Sequence, residues 1–439
     1  MASQNTAVTR QLKGWPSYLA HGGYAGAGEP QGGSVQTVDA LFRYSGLDST
    51  GDSGKAVDPR EWLNPFAARI RAVQKAQGRP AVAVLAHHTA FLSGDDPGDD
   101  LTDRAKLRTH YLNLIWEAQL TQTHIDQGDI TFSYILNPDF LGELQHSRET
   151  PKISRLFTSG SIPVAETVEW ALNQLNEKNR LEVHNQLLTA KGIPQFASDI
   201  RGYIQSLNWV LRTIAPDVTF GWQVNPWAVG GGQWVHGNTD PAEVAKEVSA
   251  FISDIGAYQG EWAGDFIAFD RYEADDFSTT AVMNSYAWAG DQWSRYLDYV
   301  GAVSTTLRRP AMLWQIPGGH LPTTQDGDET VTAGRAGSGG TFFLGDPRIG
   351  TDLDKISKAL LELPIDRPWY QATNVRDLLK SDFRHDWGQS HLAQARDSNV
   401  FAILWGGGSS TILPTATDGT GNWLAERVNN YRKQPLTLS

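Results

Sequence analysis

The 439-residue sequence has no cysteine, which removes disulfides and thiolate chemistry while leaving the compartment open. Basic residues are scarce: 37 Lys and Arg stand against 49 Asp and Glu, for a net charge of −12 and a pI near 5.4. Nucleic acid and anionic membrane surfaces both need concentrated positive charge, so neither is an expected partner. No apolar run is long enough to span a bilayer. Met1 to Lys13 is polar and has no apolar signal core, and a flexible N-terminal extension is expected over residues 1–13. The chain is then cytoplasmic, or secreted or periplasmic with its leader already removed. Internal repeats, low-complexity tracts and domain linkers are also lacking, so one elaborated domain over 1–439 is expected.

Aromatic residues and glycine are abundant, with 16 Trp, 13 Tyr, 16 Phe and 43 Gly. Several Trp lie beside Gly, Asn, Gln or Pro, as in Gly221-Trp222-Gln223 and Asn225-Pro226-Trp227. Core filling explains most Trp. A Trp at a strand end also offers a flat apolar face with one N–H donor, which suits the C–H face of a sugar ring.

Eight short apolar runs recur: Tyr18–His21, Ala40–Tyr44, Ala81–His87, Thr131–Leu136, Thr219–Val224, Phe266–Phe269, Ala311–Ile316 and Phe401–Trp405. Each is hydrophobic on both faces and followed by Gly, Asn, Pro or Asp, as expected of parallel strands covered on both sides. Helical spacing lies between most of them. Leu107, Tyr111, Leu114, Ile115 and Ala118 form one apolar stripe. Val244, Val248, Phe251, Ile252 and Ile255 form another behind the Asp240-Pro241 start signal, and Leu353, Ile356, Leu360 and Leu361 a third. This alternation predicts an α/β fold, a (β/α)8 barrel with long loops. Ser147 to Asp217 is too long for one helix and should carry extra helices between strands 4 and 5, including one over Gln195 to Ile214. Gly22 to Gln36 and Thr323 to Gly340 read as loops.

The richest stretch is Asp265 to Phe277. An apolar strand breaks there into Asp270, Arg271, Tyr272, Glu273, Ala274, Asp275 and Asp276. Carboxylates this crowded must be solvated, paired or useful. In a parallel barrel, the carboxyl ends of the strands are where chemistry sits. Those ends would bring together His21; Arg43, Tyr44 and Asp48; His87 and His88; Asn137-Pro138-Asp139; Gln223 and Asn225; Asp270 to Asp276; Gln315 and His320; and Trp405. Alternation places Gly221, Gln223 and Asn225 on one face, and Phe266, Ala268 and Asp270 on another shared face. Glycosidic cleavage uses one carboxylic acid to protonate the leaving oxygen and a second carboxylate as nucleophile or base. Asp139, Asp270 and Glu273 are the candidates for those roles. His21, His88, Asn137, Gln223, Asn225, Asp275, Gln315 and His320 are candidates to hold hydroxyls, with Trp227 and Trp405 stacking on rings.

Metal and cofactor signals are weak, and neither is expected. His87 and His88 are strand neighbours pointing to opposite faces, and no His-Glu-x-x-His pattern occurs. Ser93 to Asp100 has carboxylates at calcium-like density but reads first as an exposed acidic turn. Gly406 to Thr411 could cradle a phosphate, although no Lys or Arg is near in sequence. No Gly-x-Ser-x-Gly elbow stands in a strand–turn–helix context.

In these strand ends the chain resembles the TIM-barrel glycoside hydrolases as a group, with no single family identified. Asn137-Pro138-Asp139 stands where retaining members of the largest such clan carry Asn-Glu at the end of the fourth strand. Order and residue both differ here, so a retaining double displacement is not carried over. The run Asn-Pro-Asp-Phe-Leu-Gly-Glu-Leu also resembles the Glu-Pro-Asp-Ser-Leu run of family six cellulases, without their other motifs. The resemblance implies hydrolysis or transfer of a glycosidic bond in a poly- or oligosaccharide, without a cofactor. Two other readings remain: a barrel acting on a phosphorylated small molecule, and a non-catalytic carbohydrate-binding barrel.

Overall fold

A computed structural model describes residues 8–25, 38–46, 55–88, 97–178, 192–271, 287–326, 336–365, 372–381, 385–406 and 422–438. Eight strands close into an all-parallel barrel in chain order: β1 Ala20–Tyr24, β2 Ala40–Gly46, β3 Val82–His88, β4 Thr131–Leu136, β5 Thr219–Val224, β6 Phe266–Asp270, β7 Ala311–Ile316 and β8 Val400–Trp405. With flanking helices this is a (β/α)8 barrel. All eight expected runs are strands. The first lies further on than its apolar residues suggest, because Ala20-His21-Gly22-Gly23 carries the pairing with β8. A Cβ on Gly22 would sit 2.5 Å from the Ala40 carbonyl oxygen, so glycine is what lets the backbones of β1 and β2 approach.

Contacts divide the chain into two compact units, each described by itself. The first comprises Met1–Leu41, Gly232–Lys246 and Phe269–Ser439. In it, β8 lies between β1 and β7, with Ala20 opposite Ala402 and Ala311 opposite Val400. Asp39, buried, accepts from the Tyr18 hydroxyl and the His21 backbone N–H and pairs with buried Arg432. Part of the expected N-terminal extension is tied down here, since Arg10 Nε donates to Asn399 Oδ1 at 3.2 Å.

The second unit comprises Phe42–Gly231 and Glu247–Ala268. Within it β4 lies between β3 and β5, with Val84 opposite Ser133 and Ser133 opposite Thr219. Helix Arg104–Asp126 starts where Asp103 accepts from the Ala105 and Lys106 N–H groups, and its expected stripe from Leu107 to Ala118 is buried. The expected extra helices between β4 and β5 include Phe140–His146, Val164–Glu177 and Ile200–Ile214. The last begins at Ile200, five residues later than the expected Gln195 start, and Asp199 caps it.

One helix differs from expectation. Leu353 to Leu361 is a 3-10 turn over Leu353–Lys355 and a separate helix over Lys358–Leu361. Between them, Ile356 pairs with Thr323 and the Ser357 N–H donates to the Pro322 carbonyl, pulling the chain out of helical conformation.

Candidate active site

Strand faces can be assigned in the second unit. Trp222 donates its indole N–H to Asn208 on helix Ile200–Ile214, and Tyr134 bonds Thr121 on helix Arg104–Asp126, so these side chains face the helices. Their strand neighbours therefore face the barrel interior, where the Ser133 and Thr219 hydroxyls meet at 2.5 Å. Asn137 and Gln223 continue that inward series at the carboxyl ends of β4 and β5.

There, three of the expected residues converge. Asp139 Oδ1 accepts from Gln223 Nε2 at 3.0 Å and from Asn225 Nδ2 at 2.8 Å. Asn137, Gln223 and Asn225 are buried and Asp139 is partly exposed. The turn is strained: Asn137 has φ 43° and Asp139 φ 63°, a left-handed conformation that Asn and Asp tolerate better than other non-glycine residues. The Asn137 N–H donates to the His87 carbonyl, which ties this turn to β3. Asp139 precedes helix Phe140–His146 without capping it by its side chain. Its carboxylate is thus aimed at the two amides.

Gly142 on that helix keeps Asn225 in place, because a Cβ there would lie 2.6 Å from Asn225 Oδ1. Gly142→Ala should raise helix propensity yet displace the Asn225 amide. We expect a loss of about 1–3 kcal/mol in stability from the overpacking and, on the reading of Asp139 as catalytic, turnover down about tenfold or more from the misplaced carboxylate. Steady-state kinetics beside thermal unfolding reads both.

His87 and His88 separate as strand neighbours must. His88 lies on the inward face, its ring 6.4 Å from that of Tyr44. His87 faces helix Arg104–Asp126, where Nδ1 meets Glu117 Oε1 at 2.8 Å and Ser45 Oγ at 3.2 Å in a buried cluster. Glu117 lies 30 residues away and had no sequence signal marking it. Trp227 sits in the turn after β5, partly exposed, edge-on to His146 at 6.1 Å.

In the first unit, Asp270 ends β6 and is buried, and its backbone carbonyl accepts from the Tyr296 hydroxyl at 3.2 Å. Burial, with the Asp270 charge adding to it, raises the Tyr296 pKa well above the ordinary phenol value. Arg271 is anchored beside it, its guanidinium 4.0 Å from the Trp288 ring centroid. Gln315 has φ 52° where the β7–β8 register shifts. His320 stacks on Trp423 at 4.6 Å and lies 3.9 Å from Asp326. His320, then Thr323 and Arg348, hold the Asp326 carboxyl well below the usual range against the opposing effect of burial.

His21 and Trp405 are placed differently from the sugar-binding roles expected of them. Trp405 is fully buried, donates its indole N–H to His21 Nδ1 at 3.1 Å, and lies edge-on to Phe343. His21 contacts Tyr431 on helix Asn422–Tyr431 at 4.7 Å. Both rings are enclosed by protein. Glu273, Asp275 and the loop from Gly407 to Thr411 lie outside the described residues.

Among the described residues no cluster of three or more His, Asp or Glu is arranged to hold a metal. The described carboxylates of the calcium candidate, Asp99 and Asp100, are ion-paired with Lys152 and Lys106. No described helix is long and apolar enough to cross a membrane.

The sequence matches no protein-family profile and no curated protein. Solved structures similar to it include a glycoside hydrolase family 6 enzyme from Coprinopsis cinerea, 13% identical, covering 82% of this chain and 85% of that one, with a TM-score of 0.36. A GH5-4 broad-specificity endoglucanase from an uncultured bacterium is 12% identical over 95% and 94%, TM-score 0.40. An endo-β-1,4-mannanase double mutant from Cellulomonas fimi is 13% identical over 96% and 72%, TM-score 0.41.

Proposed function

We propose that the chain is a glycoside hydrolase that cleaves or transfers glycosidic bonds of a poly- or oligosaccharide by carboxylate acid–base catalysis, as one catalytic barrel. The observation that carries this reading is Asp139, a carboxylate at the end of β4 with two buried amides converging on one of its oxygens. Such an arrangement fixes the direction of the carboxylate, as positioned proton transfer demands. Asp270, at the end of β6, is the second carboxylate of the proposal, and Glu273 its reserve. Asn137, His88, Gln315, His320 and Asp275 would hold hydroxyls.

Incubation with a panel of polysaccharides, read by mass and by anomeric NMR, tests the reading. Release of shorter chains with new reducing ends is the expected result. Binding without release would leave a carbohydrate-binding barrel, and turnover of phosphorylated small molecules alone would favour the phosphate reading.

Trp227 is the stacking residue of the proposal. Trp227→Ala should weaken substrate binding by about 1–2 kcal/mol with little change in thermal unfolding, because the ring is partly exposed. A fall in stability matching the fall in binding would place it in the core instead.

A further inference from the structure

Gln223 has a constraint that its partner imposes. A carboxylate oxygen accepts hydrogen bonds, so the amide must present its nitrogen to Asp139, and Nε2 does so at 3.0 Å. The amide oxygen is thereby turned away from Asp139. Gln223 is buried, its Oε1 has no hydrogen-bond partner among the described residues, and its side chain lies on the inward face of β5. Swapping oxygen and nitrogen would not relieve this, since it would set oxygen against oxygen. A buried acceptor without a donor is costly, and a ligand that supplies the donor recovers that cost on binding.

We propose that Gln223 Oε1 is a specificity-determining acceptor. It takes a hydrogen bond from a hydroxyl or ammonium group of a ligand held against Asp139. This subsite then selects neutral or cationic polyols and disfavours phosphorylated or carboxylated sugars, whose anionic oxygens bring further acceptors to a carboxylate and an amide oxygen. The inference rests on the reading of Asp139 as a ligand-facing group of a sugar-cleaving site, and deepens it by naming the substrate class.

The probes are Tris, a protonated amino-polyol at pH 7, and inorganic phosphate, each titrated calorimetrically into the full chain in a buffer containing neither. Tris should bind wild type and bind at least about tenfold more weakly both to Gln223→Leu and to Gln223→Met, which keeps the length of the side chain but has no amide oxygen. Phosphate should not compete with Tris. Failure of Tris to bind, equal Tris affinity in wild type and Gln223→Leu, or competition by phosphate would each overturn the proposal. If Gln223→Leu does not fold, the wild-type competition and Gln223→Met still decide: phosphate competition, or Tris affinity in the methionine variant equal to that of wild type, overturns it. Failure here is distinct from failure of the catalytic reading. Polysaccharide cleavage with Gln223-independent Tris binding sinks only this inference, whereas Gln223-dependent Tris binding without cleavage of any glycan sinks only the hydrolase.

Discussion

Asp139→Asn and Asp270→Asn are each expected to keep the fold and to lose at least about a hundredfold in turnover, the scale of removing a general acid or base. Asn has nearly the volume of Asp, so packing is conserved. At position 139 the carboxylate is not used to cap the helix that follows. The proposed chemistry does need it. An Asn there still offers one amide oxygen to the Gln223 and Asn225 donors, which both meet a single oxygen of Asp139, but it can neither give nor take a proton as a carboxyl group does. At position 270 the strand is held through backbone atoms, including the carbonyl that accepts from Tyr296, and these survive the substitution. Binding measured alongside turnover and thermal unfolding separates chemistry from recognition, since KM should change far less than kcat. A variant that folds and turns over near the wild-type rate would leave that carboxylate a structural one.

The barrel was legible because its strands are covered on both faces and stand out as apolar runs whatever their neighbours. Strand alternation also holds at the rim: Gln223 and Asn225 meet Asp139, and His88 separates from His87. At His21 and Trp405 the residue types alone point to a sugar site, and alternation points elsewhere. Trp405 shares a face with His21 across the β1–β8 pairing, in which Gly23 stands opposite Trp405 and His21 opposite Ile403. That face carries Tyr431 and Phe343, so a Trp at a strand end became core. Long-range polar pairs were illegible for a different reason. Glu117 reads as an ordinary residue of an amphipathic helix, and only the closing of β3 onto that helix brings it to His87. The split of Leu353 to Leu361 is likewise tertiary, because Thr323 and Pro322 capture the backbone at Ile356 and Ser357.

Stability should fall steeply with acid, starting near pH 6 instead of near pH 4 where carboxylates ordinarily titrate. His21 and His110 are both fully buried, and burial pushes each imidazole down to about 3 from an ordinary 6.5. For His21, Asp39 opposes that shift and Arg432 adds to it; for His110, Lys106 adds, Asp103 opposes and His87 adds. Both ring nitrogens of His110 lack a hydrogen-bond partner among the described residues, so no hydrogen bond there compensates a charge. The sign follows from proton counting. Above pH 6.5 both states hold these rings neutral, and the full contribution to stability is present. Between 6.5 and about 3 the unfolded chain binds protons that the folded chain refuses, so stability is lost as pH falls through that window. These two protons alone give a slope of about 2.7 kcal/mol per pH unit, and His385, pushed down to about 4 mainly by burial, adds to it. Asp326 and Asp346, whose folded values are lowered, add acid sensitivity in the same direction at lower pH. By pH 4 the two rings account for about 7 kcal/mol, enough to unfold a domain at the lower end of the usual range of about 5–15 kcal/mol. Urea unfolding at pH 7, 6 and 5 measures the slope. His110→Phe, which replaces an unpartnered buried ring with an apolar one, should remove about 1.4 kcal/mol per pH unit of it while leaving the protein folded at pH 7. A stability that stays level from pH 7 to pH 5, or a slope unchanged in His110→Phe, would show that these imidazoles take up protons in the folded chain as readily as in the unfolded one.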